Sequence, residues 1–393
     1  MSLAERRWLR LFVLCALYVA QGVPWGFMFI TLPTYLATRG VEDLAMVMAM
    51  AYLPYAFKWI WGPIIDAFTI RRFGRRRPWI VFAQAMMALT VFAMLLFDVT
   101  REVKLLAAMI FVHTIFNSLQ DVSVDALAVD LLPENERGRA NGLMYGSKYL
   151  GGAMGGVGLA YVISYSSLRT ALVVQTSILL AIMMLPLFVR ERDGEAPPRE
   201  PLRDIAGALL QAFSLRSTLI AVLLTLGSTF AVGMIQPVAI KLFVSTLHWK
   251  LEDYGAISGG WGLVVGGVCA AITGFLADKL GRRRVAAVAS CGLAVGWLVA
   301  AQMKPYWTEH WFVWVLGLYA EGCVAIWQVS LFAIAMDLSW PRIAGSQFTA
   351  YMALMNLGTT LGTLFSTFAM EHFEFHGVYI LAGCIQLAVT LLL

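Results

Sequence analysis

The chain has 393 residues, of which 60% are apolar and only 13% charged, with a mean hydropathy of +0.74. A soluble domain cannot cover its surface with so little polar material. The formal charge of +5 does not mark a nucleic-acid binder, because the positive side chains sort by loop rather than gathering on one face.

Apolar runs of about 20 residues, enough to cross a bilayer as helices, predict twelve spans. They fall at roughly 9–36, 43–68, 78–98, 104–132, 140–165, 168–190, 217–246, 253–277, 284–303, 309–338, 343–369 and 375–393. The first follows Arg6, Arg7 and Arg10. It is too long for a signal-peptide core and no small-residue cleavage site follows it, so a retained helix is expected. Between the sixth and seventh spans, Arg190 to Arg216 carries Pro197, Pro198, Pro201 and alternating charges, as a linker would. The last run reaches the final residue, and a further C-terminal tail is expected. The reading is an all-α polytopic membrane protein: a six-helix bundle at 1–190, a cytoplasmic linker at 191–216 and a second six-helix bundle at 217–393.

With the N-terminus in the cytoplasm, twenty Lys and Arg side chains fall in inside segments and six in outside loops. This bias places both termini in the cytoplasm. Cys15, Cys269, Cys291, Cys323 and Cys384 all lie in predicted spans without a C-x-x-C, which reads as small buried hydrophobes rather than disulfides or metal ligands. No metal or cofactor is expected. The absence of Gly-Lys-Ser/Thr argues against an ATP-driven pump.

The chain repeats itself. Gly62-Pro63-Ile64-Ile65-Asp66 with Gly74-Arg75-Arg76-Arg77 recurs as Gly274-Phe275-Leu276-Ala277-Asp278 with Gly281-Arg282-Arg283-Arg284. From Gly74 onward the halves align at a constant offset of 207: Gly138 on Gly345, Gly151 on Gly358, Gly155 on Gly362. The stretch Asp121–Leu131 falls on Gln328–Leu338 with six of eleven positions identical, and only Asp121/Gln328 and Asp125/Phe332 differ sharply. Each half therefore acts as a control for the other. Residues shared by both are architecture; polar residues with apolar twins are not demanded by the fold. His113, Asn117, Asp121 and Asp125 recur every four residues, so they form one stripe on a helix. Lys58 falls on Ala270, and Lys148 on Met355.

An ionisable residue at a helix centre costs about 2.5–3.5 kcal/mol on insertion scales. Asp121, Asp125, Lys58 and Lys148 must therefore face one another or a watery cavity. At 1.5 Å per residue, Lys58, Asp121 and Lys148 lie roughly 12–14 Å from the cytoplasmic helix ends, the depth at which secondary transporters hold their solutes. The bland reading is an ion-pair cluster that only orients helices. In the functional reading, Asp121 and Asp125 are proton sites, since like charges four residues apart oppose each other's ionisation, and the lysines hold an anionic solute. Gln21, in Gln21-Gly22-Val23-Pro24, and Glu321, alternatively a partner for Lys241, are further solute-binding candidates. Gln236 beside Pro237 ranks lower. The tryptophans Trp25, Trp59, Trp61, Trp261 and Trp327 suit interface anchoring and packing better than solute stacking. Small residues in Gly151-Gly152-x-x-Gly155-Gly156 allow close helix contact. Asp66 with Arg75 and Arg76, and Asp278 with Arg282 and Arg283, are expected to form a cytoplasmic gate whose latch opens in one conformation.

The paired Gly-x-x-x-Asp…Gly-Arg-Arg loop resembles the signature of the major facilitator superfamily, and the resemblance covers the whole chain. Three segments resemble the branch containing AmpG-type muropeptide permeases and acetyl-CoA transporters: Gln21-Gly22-Val23-Pro24, Phe57-Lys58-Trp59-Ile60-Trp61-Gly62-Pro63-Ile64-Ile65-Asp66 and Gln120-Asp121-Val122-Ser123-Val124-Asp125. Siderophore permeases of the RhtX/FptX kind are also similar. The chain departs from the branch at Gly62, where Trp-Ala-Pro is usual. The resemblance implies a proton-coupled symporter of the inner membrane that imports a bulky polar solute, foremost muropeptide-like peptidoglycan fragments, with Gln120 joining the solute site; His113 and Asn117, on the Asp121 stripe, are solute-binding candidates from the comparison of the halves. Ferric siderophores and acetyl-CoA are the alternative solutes. The expected partners are the solute, protons and the bilayer, and a monomer is expected. A non-transporting sensor or scaffold would have lost the midplane charges, which are present. A membrane enzyme would need a nucleophile facing His113, and none is evident.

Overall fold

The computed structural model describes residues 6–67, 74, 76–132, 134–189, 207, 211–338, 340 and 344–393. Twelve helical segments run through them, numbered here in chain order. They are α1 (Arg7–Thr38), α2 (44–67, with a turn at Phe57), α3 (Arg77–Leu96), α4 (Val103–Leu131), α5 (134–165) and α6 (Leu168–Phe188). After the linker come α7 (216–246), α8 (251–280), α9 (Arg282–Gln302), α10 (His310–Leu338), α11 (Ala344–His372) and α12 (Phe375–Thr390). Eight of these segments are long and apolar enough to cross a membrane by length and composition alone. The more polar α5 and α11 pack against α1 and α7 respectively.

The helices form two compact units. The first takes α1, α3 to α6, the part of α2 from Ile60 onward and the start of α8, Lys250–Gly260. The second takes the first part of α2, Leu44–Trp59, then α7, the rest of α8 from Trp261, and α9 to α12. The units thus cut across the two sequence halves. The early part of α2 belongs with α11, and the start of α8 lies against α5. A Cβ added to Gly156 would lie 2.9 Å from the Gly259 Cα, and Ser164 donates a 2.6 Å hydrogen bond to Glu252 nearby.

The internal repeat reappears as packing. In the first unit α1 pairs with α5, α3 with α4 and α3 with α6; in the second α7 pairs with α11, α9 with α10 and α9 with α12. Two glycines explain why the α1–α5 and α7–α11 contacts are so close. A Cβ on Gly155 would stand 1.9 Å from the Val23 carbonyl oxygen, and one on Gly362 would stand 1.9 Å from that of Phe230. Only a residue without a side chain fits such backbone-to-backbone approach. The repeated loop has its own geometric demand. Gly74 and Gly281 have φ of 99° and 89°, in the region that other residues rarely adopt, and each stands just before a helix.

Four segments are locally underwound into π-turns: Phe27–Thr31 in α1, Met154–Gly158 in α5, Lys241–Thr246 in α7 and Ala256–Trp261 in α8. Such turns leave carbonyls without their usual helical donors. The buried Thr31 hydroxyl lies 2.8 Å from the Gly155 oxygen and 2.5 Å from that of Gly156, and so serves the turn in α5 from the turn in α1. Pro24 and Pro237 sit a few residues ahead of the α1 and α7 π-turns, where the missing N–H disturbs the same ladder.

All five cysteines are unpaired, but none is buried as expected: Cys15, Cys269 and Cys323 are half-buried, and Cys291 and Cys384 are exposed. They sit on α9 and α12 beside other exposed apolar side chains such as Val295 and Leu387, as suits a lipid-facing surface. At the α9–α10 connection, Lys304 donates to Glu374 at 3.3 Å and holds that carboxyl below the usual carboxylate range.

Candidate functional site

The first unit brings three of the sequence candidates together. Lys148 of α5 reaches Asp121 of α4, with Nζ 3.2 Å from Oδ1. One turn along α4, Asp125 accepts a 2.5 Å hydrogen bond from the Tyr18 hydroxyl of α1. The Lys148 ammonium also stands 6.0 Å from the centre of the Tyr18 ring, within cation–π range. The site is therefore a chain of four groups on three helices, Lys148–Asp121 and Asp125–Tyr18. The close α1–α5 packing creates it, because a Cβ on Gly22 would stand 2.2 Å from the Lys148 carbonyl oxygen. Tyr18 is embedded among Leu14, Leu17, Val124, Leu127 and Met144, an apolar wall under the charged groups. Asp121 is buried and Asp125 exposed, so the pair runs from protein interior to an open face.

Tyr18 was not among the sequence candidates. A tyrosine in an apolar run reads as packing, and only its partner marks it. Asp130 and Asp337 also escaped selection. Arg76 donates to Asp130 at 3.0 Å, and Arg282 pairs with Asp337. The two aspartates are 207 residues apart, so each half ties the start of one helix, α3 or α9, to the end of the next, α4 or α10. The expected Asp66–Arg75 and Asp278 latches fall on Arg75 and on side chains outside the described residues. The described arginines of these loops engage Asp130 and Asp337; Arg283 is exposed.

The remaining candidates are not brought to this site. His113, Asn117, Gln120 and Gln21 are all buried, at 3% exposure or less, so none presents a surface to a bulky solute in this conformation. Gln120 donates to the Leu17 carbonyl at 3.2 Å and so helps to seat α1 on α4. His113 Nδ1 lies 2.9 Å from the Thr90 hydroxyl, which also lies 2.9 Å from the carbonyl oxygens of Met86 and Met87. The hydroxyl can donate to Nδ1 or accept from it, according to the histidine tautomer. Lys58 lies in a 3-10 turn of α2 within the second unit, half-buried. Glu321 is half-buried in α10, and no ion pair to Lys241 occurs among the described residues. Among the tryptophans, Trp61 donates to Ser118 and Trp327 to the Ser228 carbonyl, both packing roles, while Trp59 and Trp261 are exposed.

A charge array running from the interior of packed helices to an open face, within a chain of two repeated halves, is the arrangement of a secondary transporter. The family model for the Major Facilitator Superfamily matches residues 11–352 and 218–393. The chain belongs to the Major Facilitator Superfamily. It is 24% identical over 360 residues to the anhydromuropeptide permease of Escherichia coli (strain K12), covering 88% of this chain and 71% of that one. It is 28% identical over 158 residues to the putative transporter AmpG 4 of Rickettsia conorii, covering 39% and 38%. Among solved structures, the D-xylose-proton symporter superposes with a TM-score of 0.78 at 15% identity, covering 98% of this chain and 97% of that one. The nucleoside transporter NupG superposes with a TM-score of 0.73 at 12% identity, covering 97% and 98%. These two establish the fold. As a superfamily member, the chain is a multi-pass membrane transporter of small-molecule solutes and not an enzyme.

Proposed function

We propose that this transporter is a proton-coupled symporter importing muropeptide-like fragments of peptidoglycan. The observation that carries the reading is the Lys148–Asp121 ion pair beside the Tyr18–Asp125 hydrogen bond. A proton taken by Asp121 discharges its pair and releases the lysine ammonium to a solute carboxylate. Loss of that proton restores the internal pair and expels the anion. Asp125, one turn away, relays protons with Tyr18 as its donor. Such an exchange couples the two cargoes because Lys148 satisfies either Asp121 or the solute, not both. The likeness to the anhydromuropeptide permease supports a solute carrying several carboxylates on a short peptide.

The sorting of Lys and Arg by loop supports the orientation. The chain lies in the inner membrane with both termini in the cytoplasm, as a monomer of two six-helix halves, 1–190 and 217–393, joined by 191–216. Asp66, Arg75, Arg76, Asp278, Arg282 and Arg283 belong to its cytoplasmic gate, with Arg76 and Arg282 held by Asp130 and Asp337 in this conformation. The test is uptake of a labelled anhydromuropeptide into proteoliposomes under an imposed proton gradient. Accumulation that collapses with a protonophore is expected. Equal uptake with and without the gradient refutes proton coupling, and no uptake of the muropeptide refutes the substrate.

A further inference from the structure

The first unit holds a second group of polar side chains beside the charged site. Gln21 of α1 and Asn117 and Gln120 of α4 are all buried, at 3% exposure or less. Among the described residues, Gln21 Nε2 and Oε1, Asn117 Oδ1 and Gln120 Oε1 have no hydrogen-bond partner. A buried polar atom left so is costly, and internal water is its usual partner. The three side chains share one place. Gln120 donates to the Leu17 carbonyl at 3.2 Å, which sets the register of α1 against α4. The two helices run in opposite directions by chain alternation. Gln21, one turn on from Leu17, and Asn117, one turn before Gln120, therefore both lie roughly 4.5–6 Å to the same side of that contact. Asp121 follows Gln120 directly and stands one turn from Asn117 on the same helical face.

The second unit shows the same ground without that polarity. Gly155 meets the Val23 carbonyl as Gly362 meets that of Phe230, so the offset of 207 also relates α1 to α7. Ser228, Val324 and Trp327 then stand where Gln21, Asn117 and Gln120 do. Trp327 is fully buried, and its indole donates to the Ser228 carbonyl at 3.1 Å, while the Ser228 hydroxyl donates to the Thr225 carbonyl. An indole fills the gap in one unit; three amide side chains with unserved atoms line it in the other. The fold therefore does not require the amides. Asp121, 6% exposed, does require a proton donor if it is to work. The titratable groups around it are Lys148 of α5, Tyr18 of α1 and Asp125 on α4 itself. Asp125 lies one turn toward the Leu131 end of α4, and Asn117 one turn toward the Val103 end. His113, a further turn that way, is engaged by Thr90 at 2.9 Å and leaves Nε2 without a partner among the described residues.

We infer that Gln21, Asn117 and Gln120 hold a buried water that delivers protons to Asp121 from the outer side of the membrane. The inference rests on the proton role and the orientation proposed above. Three amide oxygens and the Gln21 N–H groups supply the mix of acceptors and donors that one water needs. The Asp121 carboxylate takes a proton from that water, and the water regains one from the outer side. Asp125 and Tyr18 serve release on the opposite side. Entry and exit then use different faces of one carboxyl.

The experiment compares Asn117→Val, the change that copies the second half, with Asn117→Thr, which has the same shape and keeps a hydroxyl to hold water. Full chains in proteoliposomes are read by infrared difference spectroscopy across the titration of Asp121, whose carboxyl band is assigned by its loss in Asp121→Asn. An O–H stretch that shifts in heavy-oxygen water is expected to accompany that band in the wild type and in Asn117→Thr, and to be absent in Asn117→Val. In transport of an anhydromuropeptide, Asn117→Val is expected to lower proton-driven accumulation by about tenfold or more. It should keep solute exchange at equal pH, which moves no net proton, and Asn117→Thr should keep both. A wild type without the isotope-sensitive band, a band that persists in Asn117→Val, or equal accumulation by the two variants overturns the water site. Loss of exchange together with accumulation in Asn117→Val also overturns it, because that marks a solute or packing role. Wild-type uptake indifferent to the gradient, with the band present and lost only in Asn117→Val, refutes proton coupling and sustains the water at Asp121.

Discussion

Replacing Asp121 by Asn separates a structural ion pair from a working one. The substitution keeps the size of the side chain and removes the charge that faces Lys148 at 3.2 Å. Breaking a fully buried pair costs about 3–5 kcal/mol, and a surface pair is worth about 0–1 kcal/mol. Here the Asp121 side chain is 8% exposed and that of Lys148 is 29% exposed, so the cost lies nearer the buried limit, at about 2–3 kcal/mol. Asp125, one turn away, remains as a partial counter-charge and keeps the loss from rising further. Lys148→Met should cost a similar amount for the converse reason. The double variant, with neither charge left, should regain most of the stability in a reversible detergent-unfolding titration, giving a coupling energy of about 1.5–3 kcal/mol. Its proton-driven uptake should stay abolished, because no group is left to exchange a proton for a solute anion. A double variant that regains both stability and uptake would show that the pair serves only to orient α4 on α5, and the transport role assigned to it would be refuted.

Tyr18→Phe removes the hydroxyl that donates to Asp125 at 2.5 Å; a hydrogen bond to a charged group is worth about 1.5–3 kcal/mol, so uptake should fall by roughly ten- to a hundredfold with expression unchanged, and unchanged uptake would remove Tyr18 from the site. Gly155→Ala should abolish the monodisperse folded peak in size-exclusion chromatography, since its methyl meets the Val23 carbonyl at 1.9 Å, whereas Gly146→Ala on the same helix, with nothing within 4 Å, should be tolerated. Equal behaviour of the two would mean that α1 and α5 do not pack as described. Exchanging the charges of Arg76 and Asp130 should preserve folding better than reversing either alone, as read by thermal unfolding, because the pair spans 3.0 Å between α3 and α4. The Lys304–Glu374 contact lowers the carboxyl from 4.5. It therefore helps the folded state above that value and stops helping as pH falls through the lowered one. Hydrogen exchange in the 303–309 and 372–376 loops should accelerate there in the wild type but show no such step in Glu374→Gln.

The helical architecture was legible because membrane burial leaves a coarse signal: long apolar runs, broken by short charged loops. The charged cluster was legible where one half contradicted the other. Asp121, Asp125 and Lys148 stood out because Gln328, Phe332 and Met355 occupy the equivalent places, and the structure puts Lys148 on Asp121. The same comparison hid Asp130 and Asp337. They are identical in the two halves, which reads as architecture, yet they hold the loop arginines that had been assigned to Asp66 and Asp278. Tyr18 was hidden for a different reason: a phenol ring is as apolar as its neighbours in a hydropathy profile, and its hydroxyl matters only through Asp125. Position along one helix also proved a poor guide to exposure. His113 and Asn117 share the Asp121 stripe by spacing, but α1 and α3 cover that end of it and bury both. The exchange of the start of α2 for the start of α8 between the units has no sequence signature at all, since it depends on which helices meet.

That exchange bears on how the chain is made. The early part of α2, through Ala56, leaves the ribosome long before α11, whose last residue is His372. At about 5–20 residues per second, the face of α2 destined for α11 waits on the order of 15–60 s for its partner. During that interval lipid or the insertion machinery must cover it. A pause or truncation before α11 would therefore leave a first half that is fully inserted and still incomplete, and a natural substrate for membrane quality control.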